Sequence, residues 1–258
     1  MIMKKVLISF SLIVFLSSFC TAITRSSSNS NEDRKVEKNA YYKDLQRAKN
    51  CYCEGDFDGA EKYLNKIFEV SIDNEKANEM RNKILLLKEK ESYYKKALVN
   101  DLVIELRRAV KEGNCYEGFL FIKRIKELSP NEPVEAFKTR LDNEKDLVLY
   151  TIEDMGDKHL FLDSLDFFVK EKFKKSSEYI YKLYQKYPKF VDYVGLNRCY
   201  VLQETTSKRV KKFYDEAVKN FKATRLGEAR NLAELAYSLQ PTNIKIKVLL
   251  DQINMEIL

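Results

Sequence analysis

Apolar residues recur along this chain at helix-face spacing, and one template returns four times at intervals of about 53 to 58 residues. Its most regular part is a short amphipathic stretch. The first copy reads Phe57, Ala60, Leu64, Ile67 and Val70, and the second Cys115, Gly118, Ile122, Ile125 and Leu128. The third reads Phe173, Ser176, Ile180, Leu183 and Lys186, and the fourth Leu226, Ala229, Ala233, Ala236 and Leu239. Steps of three and four residues place these positions on one side of a helix. The second position is always small (Ala60, Gly118, Ser176, Ala229), as a close crossing of two helix backbones requires.

A preceding helix is predicted in each copy. It carries Leu45, Ala48, Cys51 and Tyr52; then Val103, Leu106, Ala109 and Val110; then Phe161, Ser164, Phe167 and Phe168; and finally Tyr214, Ala217 and Phe221. Gly55 and Gly113 mark the turn between the two helices in the first copies, because glycine tolerates the left-handed conformation that ends a helix. Glu171 and Thr224 stand there in the other two copies, which predicts a turn of different construction. Pro130, Pro188 and Pro241 close the second helix in three copies.

A third helix follows each time, with apolar residues at Ala77-Met80-Ile84, Val134-Phe137-Leu141, Tyr193-Leu196-Tyr200 and Ile246-Leu249-Ile253. The polar segment from Lys88 to Lys96 has no breaker and is compatible with one long helix. Gly156 and Thr205-Thr206-Ser207 predict interruptions at the two later junctions. The acids Glu153, Asp154 and Asp157 near the first of these read as a solvated turn. The fold expected is all-α: an α-solenoid of four units, near 40–92, 97–150, 157–203 and 207–258, in a single repeat domain over 36–258.

Ala48, Gly55, Phe57, Ala60 and Leu64 of the first copy resemble the tetratricopeptide repeat. So do Gly113, Gly118 and Ser129-Pro130-Asn131 of the second, Phe173, Ser176 and Pro188 of the third, and Ala217, Leu226, Ala229 and Pro241 of the fourth. The resemblance covers about residues 40 to 258. It departs from the family in its period, since a standard repeat is about 34 residues; the excess accommodates one extra helix per unit. The resemblance implies binding of a protein or peptide along a concave face. It carries no catalytic residue with it.

The amino-terminus adds a location. Lys4 and Lys5 precede an apolar run from Val6 to Phe19 and a small-residue segment, Cys20-Thr21-Ala22, the layout of a secretory signal peptide over 1–22. Two fates fit this segment. One is cleavage after Ala22. The other is lipidation of Cys20, because Leu16-Ser17-Ser18-Phe19-Cys20 resembles a relaxed bacterial lipoprotein box in which a bulky Phe19 replaces the usual small residue. Residues 23–35, with Ser26-Ser27-Ser28-Asn29-Ser30-Asn31, lack apolar periodicity and read as a flexible tether. An exported chain, in the periplasm or cell envelope and with or without a lipid anchor, is the expectation.

Composition narrows the chemistry. Seven glycines and four prolines in 258 residues, with charged residues at 33%, suit long amphipathic helices rather than hairpins and sheets. Without the first 22 residues, 44 basic and 39 acidic side chains remain, interspersed as on a salt-bridged surface; nucleic acid is not an expected partner. No phosphate-binding glycine loop is present, and a single histidine, His159, disfavours metalloprotease and triad chemistry. No cofactor or metal is expected. Cys51, Cys53, Cys115 and Cys199 lack zinc-ligand spacing and read as small buried hydrophobes, with a bridge from Cys51 or Cys53 to Cys115 as the alternative.

One cluster suggests contact with a partner: Tyr179, Tyr181, Tyr184 and Tyr187, interleaved with Lys182 and Lys186. Tyr193 and Tyr200 fall in the apolar register and are expected to be packed, whereas Tyr181 and Tyr184 each follow a packed position and are better placed for exposure. The leading expectation is a non-catalytic scaffold of the bacterial envelope, similar in architecture to the tetratricopeptide lipoproteins of outer-membrane protein assembly. A secreted or surface-exposed α-solenoid binding a host molecule or cell-wall glycan is the second class. An enzyme built on Glu153, Asp154 or Asp157 is a remote third.

Overall fold

A computed structural model describes residues 41–187 and 191–258, with backbone only for 191–199. Cys20, the segments 1–22 and 23–35, Pro188 and the side chains of Tyr193, Leu196 and Cys199 lie outside the described residues. Every regular element among those described is an α-helix. They are α1 (41–54), α2 (Phe57–Val70), α3 (Glu75–Lys111), α4 (Cys115–Leu128) and α5 (Glu135–Thr151). Then follow α6 (Met155–Val169), α7 (Phe173–Lys186), α8 (Val191–Lys222), α9 (Leu226–Leu239) and α10 (Ile244–Ile257). Two compact units divide the chain within α3, one up to Ile84 and one from Leu85 to Leu258.

The amphipathic stretches at 57, 115, 173 and 226 form four helices of one length, α2, α4, α7 and α9, each of 14 residues. The small positions Ala60, Ser176 and Ala229 are fully buried. At Gly118 the crossing is tightest: a β-carbon there would stand 2.6 Å from both methyl groups of the Leu141 side chain on α5. The fifth position of the template is the last residue of each helix, and Val70, Lys186 and Leu239 are exposed there. Leu128, the counterpart in α4, is half-buried against the aliphatic core.

The turns correct one expectation. All four are built alike. In each, one turn residue adopts a left-handed φ: 76° at Gly55, 68° at Gly113, 59° at Glu171 and 58° at Thr224. In each, the same two backbone bonds close the helix. Gly55 N–H donates to Tyr52 C=O (3.0 Å) and Asp56 N–H to Cys51 C=O (2.9 Å); Thr224 N–H donates to Phe221 C=O (2.9 Å) and Arg225 N–H to Asn220 C=O (3.0 Å). This is a Schellman cap, and its second residue opens the next helix at once. Asp56 and Asn114 then cap that helix, their side chains accepting from Gly59 N–H and Glu117 N–H. Lys172 and Arg225 provide no such cap.

The junctions alternate between fused and broken. The third helix of copy one and the first of copy two are one helix, α3, of 37 residues. Copies three and four likewise share α8, of 32 residues, which runs through Thr205-Thr206-Ser207 without the predicted interruption. Thr205 Oγ1 donates to the Val201 carbonyl (3.2 Å), so its hydroxyl is satisfied inside the helix it was expected to end. The break between copies two and three does occur, at 152–154. Its cause is the Asp154 side chain, which caps Asp157 N–H (2.9 Å), while Gly156 is already helical.

In the first compact unit, Ala48, Tyr52, Phe57, Ala60, Leu64, Ile67 and Ala77 make the buried face. In the second, α4 packs on α5 and α6, α6 on α7, α7 on α8, α8 on α9, and α10 on α9 and α8. Two of its cores meet across α4. One is aliphatic, with Leu106, Ile125, Val134 and Leu141; the other is aromatic, with Tyr116, Phe161, Phe168, Phe173 and Tyr200. The rings of the second meet largely edge to face, with Phe168 and Tyr200 centroids 4.8 Å apart and Tyr116 and Phe168 5.4 Å apart.

Candidate interaction surface

The tyrosines of α7 do not form one face. The helix buries Phe173, Ser176, Ile180 and Leu183, and each residue advances about 100° around the axis. Tyr184 and Tyr187 therefore turn toward the core, where both pack against the aromatic cluster. Tyr179 and Tyr181 point to opposite flanks, about 160° apart. On its flank, Tyr179 meets the edge of Phe167 from α6, with centroids 5.4 Å apart, and Lys182 Nζ sits 5.4 Å from its ring. Tyr181 alone of the four is open to solvent, at 56% exposure.

Two buried polar clusters hold this region in place. Asp157, at the start of α6, accepts from Lys186 Nζ at 2.9 and 3.0 Å and from the Tyr187 hydroxyl at 3.2 Å. The hydrogen bond to Asp157 raises the Lys186 pKa; burial, then the same carboxylate, raises that of Tyr187. This corrects the reading of the three acids as a solvated turn. Glu153 and Asp154 are exposed, but Asp157 is buried. A carboxylate that accepts three bonds from the far end of α7 fastens one helix to the next.

The second cluster went unread in the sequence. Glu117 is buried beneath α8, its Oε1 accepting from the Tyr200 hydroxyl (2.9 Å) and its Oε2 from Asn114 Nδ2 (3.1 Å), with Arg108 Nη2 at 3.7 Å. Burial, and then the Glu117 carboxylate, pushes the Tyr200 phenol well above its ordinary pKa. Beside it, Ser164 Oγ gives its single proton to the Phe161 carbonyl (2.7 Å), so the Tyr116 hydroxyl 2.6 Å away is the donor to Ser164. The available signal was Asn114 followed three residues on by Glu117, directly after a turn glycine: a cap and its reciprocal partner.

No family model, curated protein or solved structure matches the chain. Any functional reading therefore rests on these residues. Among the described residues no group of three or more His, Cys, Asp or Glu side chains converges as a metal site, and no helix is long and apolar enough to cross a membrane. Cys115 is buried, with its Sγ 3.7 Å from the Gly113 and Leu141 carbonyls, and desolvation pushes its thiol up to about 12. A thiol held so firmly protonated packs as a small hydrophobe. Cys53 is buried as well, and Cys51 half-buried. On α7 the ring that stands in solvent is that of Tyr181.

Proposed function

We propose that this chain is a non-catalytic scaffold of the bacterial cell envelope that binds a protein or peptide, built as an α-solenoid of four tetratricopeptide-like units with an extra helix in each. The observation that carries the reading is the recurrence of one helix–turn–helix geometry four times, down to the pair of backbone bonds in each turn. Stacked hairpins of this kind make extended surfaces, on which apolar contacts supply affinity and charged rims set register. The buried polar groups near α7 also favour a structural role. Asp157, Glu117, Tyr116 and Ser164 are each engaged by neighbouring side chains or carbonyls, as in a rigid support rather than a reaction centre.

Export with the signal segment 1–22, and a membrane tether through Cys20 as the alternative to simple cleavage, complete the proposal. Affinity purification of the full chain from envelope extracts at native abundance tests it. A stoichiometric protein partner, lost or weakened at least five-fold by Tyr181→Ala, is the expected outcome; recovery of the free monomer alone would refute it. Metabolic labelling with a fatty acid, compared between wild type and Cys20→Ser, decides the anchor.

A further inference from the structure

A helix packed on neighbours from one side only keeps its outer flank polar and solvated. In α10 it is not. Ile246, Leu249 and Ile253 are buried on one side, where Ile246 meets Val210 of α8 and Ala236 of α9. Val248 and Gln252 lie about 130° and 90° around the axis from the centre of that side, yet are only 5% and 1% exposed. Flanking that second side, Asp251 and Lys247 reach the helix at which this compact unit begins. Asp251 Oδ1 accepts from Lys90 Nζ (3.1 Å) and Oδ2 from the Tyr94 hydroxyl (2.9 Å), both on α3. Lys247 Nζ stands 5.1 Å from the centre of the Tyr94 ring. These four side chains bring together residues 157 and 161 positions apart in the chain.

We infer that the second compact unit is closed upon itself, and that α10 is a strap fastened at the seam by Asp251. One carboxylate takes two donors of α3, and a cation stands beside the ring of the same phenol, so the contact is specific in geometry and electrostatic in character. The groups are half-buried, which leaves the seam within reach of solvent and of charge reversal. Such a fastening can open without dismantling the apolar packing of α10 on α9. The inference stands whether or not the array has a partner.

Hydrogen exchange on the full chain tests it, read as protection of amides in α10 and in residues 85–96 against those of α4 to α7. Asp251→Lys sets a third cation beside Lys90 and Lys247 and is expected to speed exchange in the seam segments about ten-fold, leaving α4 to α7 protected. Adding Lys90→Asp restores an opposite-charge pair and is expected to recover most of that protection. Unchanged seam exchange in the single variant, or no recovery in the double variant, would overturn the strap. Where Asp251→Lys loosens the whole chain, Tyr94→Phe serves instead: it removes one donor only, and about three-fold faster exchange confined to the seam supports the inference, while none overturns it. A dimer in sedimentation whose dissociation unprotects the same segments would also overturn it, since the contact would then form between copies.

Discussion

Exchanging the turn residues at 113 and 224 separates backbone strain from every other contribution to these helix hairpins. Thr224 holds a φ of 58° and Gly113 one of 68°, and both donate the same capping bond. A β-carbon in the left-handed region costs an L residue about 1–2 kcal/mol, and threonine, branched at that carbon, is among the worst placed. Glycine in turn loses about 0.4–1 kcal/mol through the greater freedom of its unfolded chain. The difference predicts that Thr224→Gly stabilises the second compact unit by about 0.5–1 kcal/mol. Little opposes it: the Thr224 hydroxyl bonds only the adjacent Ala223 carbonyl, 2.7 Å away on an exposed turn. The reverse change, Gly113→Thr, carries the same two terms with opposite sign and should cost about 0.5–1 kcal/mol; at that site a β-carbon meets only the end of the flexible Glu144 side chain, at 3.4 Å. Urea denaturation followed by far-UV circular dichroism reads both as shifts in midpoint at constant slope. The reasoning fails if Thr224→Gly lowers the midpoint, or if Gly113→Thr leaves it unchanged.

Further outcomes follow from the packing and the charges. Gly118→Ala should destabilise by about 1–3 kcal/mol, because the new methyl overlaps both Leu141 methyl groups in a closed core; a thermal melt within error of wild type would contradict the close crossing. Glu171 is raised by burial, but Arg124 and then Lys123 outweigh that and hold its carboxyl below the ordinary value. A depressed folded pKa contributes stability that is present above the unfolded value of about 4.5 and lost as pH falls through the folded one. The stability difference between wild type and Glu171→Gln should therefore be constant from pH 7 to 5 and shrink below about 4.5, and a difference that grew on acidification would exclude the assignment. Cys115 should resist maleimide in the native chain at pH 8 and react once the chain is denatured in urea, as mass spectrometry of the derived peptides will read; native labelling at the denatured rate would show that its pocket is open.

The features legible in the sequence are those that each copy must satisfy locally. Burial on one face and a small residue at each crossing are written at fixed spacings, so α2, α4, α7 and α9 could be placed from their apolar steps together with Ala60, Gly118, Ser176 and Ala229. The turns at Glu171 and Thr224 misled because glycine preference is weak beside what a Schellman cap provides: two satisfied carbonyls and an immediate entry to the next helix. Glu171 also pairs with Lys123 and Arg124, an offset that a local reading cannot contain. Thr205-Thr206-Ser207 misled for a related reason. These residues lower helix propensity by tenths of a kcal/mol each, too little to break a helix held along its length by α7 and α9. The tyrosines of α7 show a different limit, since residues two apart in sequence diverge on a helix however suggestive their clustering. Asp251 shows the last one. A carboxylate that meets Lys90 and Tyr94 across more than 150 residues leaves no periodic trace, for its position is set by where the chain returns and not by what surrounds it in the sequence.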